Sequence, residues 1–137
     1  MKTYKGNITK LKPNQIFVFG SNTQGRHGKG AALTAKEKFG AIYGQAYGLQ
    51  GQSYAIVTKD LTKYKHPSIK TEHIIDQIKY LYEYAEQNEN LEFFIVYSGT
   101  RVNLNGYSNQ ELADMFFSIE PPENIVFEEE FLKLKNK

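Results

Sequence analysis

Phe19-Gly20-Ser21-Asn22-Thr23-Gln24-Gly25-Arg26-His27-Gly28-Lys29-Gly30-Ala31-Ala32 carries an apolar strand through a polar, glycine-rich loop into an alanine-rich helix start. The strand is Gln15-Ile16-Phe17-Val18-Phe19, a short β-branched and aromatic run that follows Pro13-Asn14. Gly25, Gly28 and Gly30 free the backbone for positive φ and let a ligand approach main-chain N–H groups with no Cβ in the way. A helix running from about Gly30 to Phe39 turns its unpaired N–H groups and the positive end of its dipole towards the same space. Strand, loop and helix in that order make an anion site, with phosphate the best fit.

The same alternation continues outward. After the first helix, residues 40–52 are glycine-rich and uncharged and read as irregular. Ser53 to Thr58 reads as a buried strand, followed by a loop from Lys59 to Pro67 that carries three lysines, Tyr64 and His66. From Thr71 to Gln87, Ile74, Ile75, Ile78, Leu81, Tyr82 and Ala85 recur at helical spacing, with charged residues on the other face. Leu91 to Tyr97 is a further strand, with Ser98 to Tyr107 as its exit loop, and Ser108 with Glu111 forms a capping box that opens the next helix. Ile125-Val126-Phe127 is a last strand, and the acidic-then-basic tail reads as a short helix. This order predicts an α/β sheet with helices on both faces and the polar strand-exit loops along one edge, where ligands of such folds bind.

Composition narrows the chemistry. The chain has 137 residues, 40% of them hydrophobic, which suits one folded domain. Seventeen Lys plus Arg against fifteen Asp plus Glu leave a net charge of only +2, well short of a strongly basic nucleic-acid footprint. With no cysteine, thiol chemistry and disulfides are excluded. His27, His66 and His73 lack metal-ligand spacing, so neither a metal nor a cofactor is expected. No apolar run is long enough for a membrane span or a secretory signal, so the expectation is a cytoplasmic chain without a membrane partner. Its oligomeric state stays open. The glycine loop has neither the P-loop nor the dinucleotide spacing, and a Gly-x-Ser-x-Gly elbow is missing.

Phe19-Gly20-Ser21-Asn22, followed by Gly28-Lys29-Gly30-Ala31-Ala32 opening a helix that runs out at Lys36-Glu37-Lys38-Phe39-Gly40, resembles the ADP-ribose-binding loop of macro domains. Gly99 to Tyr107 is similar to their second, diphosphate-contacting loop, and in element order the resemblance covers about residues 15 to 118. It implies a single macro-like domain over residues 1–137, folded as a three-layer αβα sandwich around a mixed, mostly parallel sheet. The implied ligand is ADP-ribose or a related nucleotide. First-loop contacts would come from Gly20, Ser21, Asn22, Gly25, Arg26, Gly28, Lys29, Gly30 and Ala31. Second-loop contacts would come from Ser98, Gly99, Thr100, Arg101, Asn103, Asn105, Gly106 and Tyr107.

Within the superfamily, the chain looks most like the branch that removes ADP-ribose from acidic side chains or nucleic-acid bases, which implies an ADP-ribosylated macromolecule as partner. The activity there implies a helix lysine that attacks the anomeric carbon of the distal ribose, matched in position by Lys36, assisted by an aspartate of the second loop. That aspartate position falls near Asn103, and no carboxylate occurs between Glu92 and Glu111. An amide hydrogen-bonds a ribose hydroxyl but is no general base at neutral pH. Asn22 matches the asparagine that positions the distal ribose in other macro domains. On its own residues it reads equally as an Asx turn closing the strand.

Several residues carry two readings. Arg26 and Arg101 are either ligand forks or solvated charges. His27 is either an acid or ribose partner or a plain loop residue, and Lys36 is either a nucleophile or a solvated helix face. Tyr43, Tyr47, Tyr54, Tyr64 and Tyr107 offer stacking surfaces for a base, Tyr107 foremost because it ends the second loop. Two other functions compete with nucleotide binding. One is a nucleic-acid module that uses Arg26, Lys29, Lys59, Lys63, Lys65 and the tyrosines; the other is a non-catalytic interaction protein with a vestigial pocket.

Overall fold

The computed structural model describes residues 2–135. Six strands, β1 Thr3–Tyr4, β2 Gln15–Asn22, β3 Gly48–Gln50, β4 Ser53–Lys59, β5 Glu92–Ile95 and β6 Ile125–Glu128, form one sheet in the order β1-β6-β5-β2-β4-β3. Every neighbouring pair is parallel except β3 with β4. Four helices, α1 Gly30–Lys38, α2 Thr71–Glu86, α3 Asn109–Phe116 and α4 Glu129–Leu132, complete the α/β fold. No helix of the described residues is long and apolar enough to cross a membrane.

Strand periodicity sorts the core into two faces. Ile16 and Val18 of β2, Ile56 of β4, Phe93 and Ile95 of β5 and Phe127 of β6 pack with the buried stripe of α2 and with Leu112, Met115 and Phe116 of α3. Phe17 and Phe19 of β2, Ala55 of β4 and Val96 face the other way, against Ala32 and Ala35 of α1 and Phe39. The α2 stripe Ile74, Ile78, Leu81, Tyr82 and Ala85 is that of the sequence pattern, and the Tyr82 hydroxyl ties α2 to α3 by donating to the Phe116 carbonyl at 2.6 Å. The Ser108–Glu111 capping box forms with both of its bonds.

Several boundaries differ from the sequence reading, among them β5, which spans only Glu92–Ile95 and leaves Val96 and Tyr97 beyond its end. β2 continues through Gly20, Ser21 and Asn22, because β4 pairs along that whole length, up to Asn22 opposite Lys59. Residues 48–50 form an edge strand inside the segment read as irregular, held by the turn into β4, where Gly51 (φ +61°) lies back to back with Gly40. β1 is a two-residue addition beside β6.

The chain leaves β4 and crosses to β5 on the opposite side of β2. This change of direction splays the loops that follow β2, β4 and β5, and a crevice opens beyond the carboxyl ends of those strands.

Candidate ligand cleft

The crevice has a volume of about 690 Å³, within the range of small-molecule sites. One wall comes from the end of β2 and the start of α1. Asn22 shapes this wall: its Oδ1 accepts from the amides of Gln24 (3.2 Å) and Arg26 (3.0 Å), and its Nδ2 donates to the Arg26 carbonyl at 2.9 Å. This is the Asx-type closure that its residue type allows, and it folds the loop so that Arg26 lines the cleft beside Asn22. Gly28, Lys29, Gly30 and Ala31 follow along the same wall. At the start of α1 the N-cap residue Lys29 makes no side-chain cap, and the first turn carries no acidic side chain. Gly30, Ala31 and Ala32, the first residues of α1, thus line the cleft with no side chain capping the helix start.

The second wall follows β4. Thr58 and Lys59 line it with Leu61, and the Thr23 amide donates to the Lys59 carbonyl at 3.0 Å, which joins this wall to the first. Asp60 does not line the cleft. Its carboxyl is held below the usual carboxylate range by hydrogen bonds from the Thr62 side chain and backbone.

The third wall is the exit of β5. Ser98 Oγ accepts from the amides of Thr100 (3.2 Å) and Arg101 (3.0 Å), a hydroxyl turn that leaves Ser98 and Arg101 lining the cleft. Gly99 packs closely against the backbone of Glu130, where a Cβ would lie 2.6 Å from a carbonyl oxygen, and its amide donates to Glu128 Oε1. Asn103 and Asn105 also line the cleft, and both brace the loop: Asn103 Nδ2 donates to Asn109 Oδ1 at 2.7 Å, and Asn105 Oδ1 accepts from the Tyr107 amide at 2.9 Å.

Other residues singled out in the sequence lie elsewhere. His27 is fully buried; its Nε2 faces the Gln45 carbonyl (3.0 Å) and Gln50 Oε1 (3.3 Å), and its ring meets Phe19 edge-on. Two acceptors at Nε2 require the proton there. Lys36 is exposed on α1, with its ammonium 5.5 Å from the centre of the Tyr43 ring, and it is not part of the cleft wall. Gly25 (φ +63°) packs against Gly44 and Gln45, and Gly106 (φ +87°) packs against the His66–Pro67 peptide. Tyr107 is buried, with its hydroxyl donating to the Ile69 carbonyl, and Thr100 also lies off the wall. None of the five stacking tyrosines lines the cleft.

The apolar lining comes instead from aliphatic residues that sequence reasoning passed over: Leu61, Val96, Val102 and Leu104. Val102 is 92% exposed and Leu104 63%, a large apolar surface to leave in water at a cleft mouth. A polar loop interrupted by single apolar residues was the one signal for them. Tyr97, read as the end of a strand, forms part of the floor.

Among the described residues, four cationic side chains, Arg26, Lys29, Lys59 and Arg101, line the cleft, and no carboxylate or imidazole does. In a chain whose net charge is only +2, this is a concentration of positive charge in one concavity. No protein-family model matches the chain, and no curated protein or solved structure matches it either. The chemistry of the cleft therefore rests on its own residues.

Proposed function

We propose that the protein binds ADP-ribose or a related nucleoside diphosphate in this cleft, with a macromolecule carrying ADP-ribose as the larger partner. The observation that carries the reading is the lining itself: four cations and an uncapped helix start, with no acidic side chain. Backbone amides at a helix start hold phosphate oxygens, arginine forks pair with them in two places at once, and the missing acids spare the ligand any repulsion. The aliphatic groups Leu61, Val102 and Leu104 supply an apolar surface of the kind a nucleobase covers.

The same lining favours binding over turnover. Removing ADP-ribose from a target calls for a nucleophile and a group that moves a proton; among the described residues the cleft wall holds neither an imidazole nor a carboxylate, Lys36 lies outside it, and the lysines of the wall are Lys29 and Lys59. Calorimetric titration with ADP-ribose, with AMP and ribose 5-phosphate as controls, tests the reading. Micromolar affinity, about −8 kcal/mol, with both fragments much weaker is the expected result. Absence of heat and of thermal stabilisation at millimolar ligand refutes it. A second reading, a nucleic-acid surface, draws on the fully exposed Tyr64 between Lys63 and Lys65 on the loop that continues the second wall. Its signature is affinity for a single strand that falls steeply with salt, where ADP-ribose binding falls only gently.

A further inference from the structure

Resting on the nucleotide reading of the cleft and deepening it, we propose that Tyr97 is a specificity-determining residue whose hydroxyl donates a hydrogen bond to a sugar hydroxyl of the bound ligand. Tyr97 is 8% exposed and lines the cleft, yet among the described residues its hydroxyl is one of two buried side-chain polar atoms with no hydrogen-bond partner. The other, His27 Nδ1, lies off the cleft wall.

The hydroxyl lies among polar neighbours that are bonded to other groups. It lies against the α-carbon of Gly20, so close that a Cβ there would overlap it, and Thr58 Oγ1 borders the same spot. Thr58 Oγ1 donates to the Ser21 carbonyl at 3.3 Å and Asn105 Oδ1 accepts from the Tyr107 amide, and neither is hydrogen-bonded to the Tyr97 hydroxyl. Burial pushes the Tyr97 hydroxyl up to about 12, and the polar groups of Thr58 and Asn105 beside it offset only part of this. At neutral pH the group is therefore a protonated donor. Gly20, Thr58 and Asn105 all line the cleft themselves, so the unused donor lies just beneath the cleft floor, within reach of a ligand oxygen that settles between them. A buried hydroxyl left unpaired destabilises the protein that keeps it, and entry of a ligand oxygen removes that penalty.

The cleft separates two chemistries. Its cations and helix amides suit phosphate, whereas Tyr97, Thr58 and Asn105 form a neutral cluster suited to hydroxyl groups. A neutral donor in a site dry enough to bury it discriminates strongly between ligands that bring an oxygen to it and ligands that do not.

Tyr97→Phe removes the hydroxyl and keeps the ring. The variant and the wild type are titrated with ADP-ribose and, separately, with inorganic pyrophosphate, and the melting temperature of each protein is recorded. The expected result is about a 10-fold loss of ADP-ribose affinity, unchanged pyrophosphate affinity and a melting temperature that is equal or higher, because an unpaired hydroxyl has been deleted. Equal ADP-ribose affinity in the two proteins overturns the role of Tyr97 and leaves the nucleotide reading standing. An equal loss for both ligands overturns the sugar assignment, because the contact would then be to phosphate. A wild type that binds neither ligand overturns both this proposal and the nucleotide reading. A melting temperature that falls together with affinity identifies a structural hydroxyl and also refutes the proposal.

Discussion

Gly20→Ala tests whether the close approach at the cleft floor is as tight as the geometry says. Gly20 pairs with Ile56 of β4, which holds its backbone on that side, while β5 pairs with β2 only as far as Val18. The added methyl would overlap the Tyr97 hydroxyl, lie 3.1 Å from Thr58 Oγ1 and stand 3.4 Å from the ring carbon that bears the hydroxyl. Tyr97 is 92% buried by its 8% exposure, and its ring packs on Phe116 and Phe131 at centroid distances of 5.9 and 6.1 Å, so the ring cannot swing away freely. Overpacking of this kind costs about 1–3 kcal/mol. With a urea m-value of roughly 2 kcal/mol/M, the midpoint of unfolding should fall by about 0.5–1.5 M. The double variant Gly20→Ala/Tyr97→Phe removes the overlapping atom, leaving an ordinary 3.4 Å carbon contact and a small adjustment at Thr58. It should recover most of the loss, with a coupling of about 1 kcal/mol or more between the two sites. Urea unfolding of the four proteins in the cycle measures this. Additive losses, with the double variant no better than Gly20→Ala, would refute the contact as the source of the strain.

Three further outcomes follow from the same geometry. Gly28 lines the cleft, has no atom within 4 Å of a Cβ built on it and does not occupy the left-handed region, so Gly28→Asp should leave stability within about 0.5 kcal/mol while cutting ADP-ribose affinity at least 10-fold by like-charge repulsion; unchanged affinity by calorimetry would place the phosphates elsewhere. Glu128, buried to 7% exposure, accepts from the amides of Gly99, Glu130 and Phe131 through Oε1, so Glu128→Ala should cost about 2–3 kcal/mol in chemical denaturation and Glu128→Gln, which keeps an acceptor, less than half of that; equal losses would show that the acceptor is not what matters. Glu92 is held below the usual carboxylate range by hydrogen bonds from Lys2 and Gln15. Its contribution should therefore be complete above the unfolded carboxylate pKa, about 4.3, and be lost as pH falls through the lower folded value. Because the pair is largely open to solvent and screened by salt, the loss should stay under about 1 kcal/mol, and Glu92→Gln should flatten that part of the acid-unfolding curve.

The alternation of elements was legible because each depends on a short-range pattern. The α2 stripe, the capping box at Ser108 and the β-branched runs of β2 and β4 are local signals, and each appears at or within a few residues of the expected place. β1 and β3 were not legible: strands of two and three residues have no periodicity to read, and they exist because β6 and β4 offer them an edge. In the cleft, the glycine-rich wall and the cations Arg26, Lys29 and Arg101 could be read from residue type. The fates of His27, Lys36 and Tyr107 could not, because a polar residue in a loop or on a helix looks the same in sequence whether it faces the cleft, the solvent or the core. His27 is buried among Phe19, Gln45 and Gln50, and its polar partners Gln45 and Gln50 lie 18 and 23 residues further along the chain.

Hydrophobic spacing, turn residues and capping pairs act over a few residues, so the sequence by itself determined the α/β order, the helix faces and a glycine-rich loop between β2 and α1. Tertiary structure alone decided which side chains of that loop meet Lys59 from β4 and Arg101 from the exit of β5, and it brought Tyr97 against Gly20 with its hydroxyl unpaired. Those contacts join residues tens of positions apart, and they depend on strand register and on the crossing of the chain from β4 to β5, which no local pattern encodes.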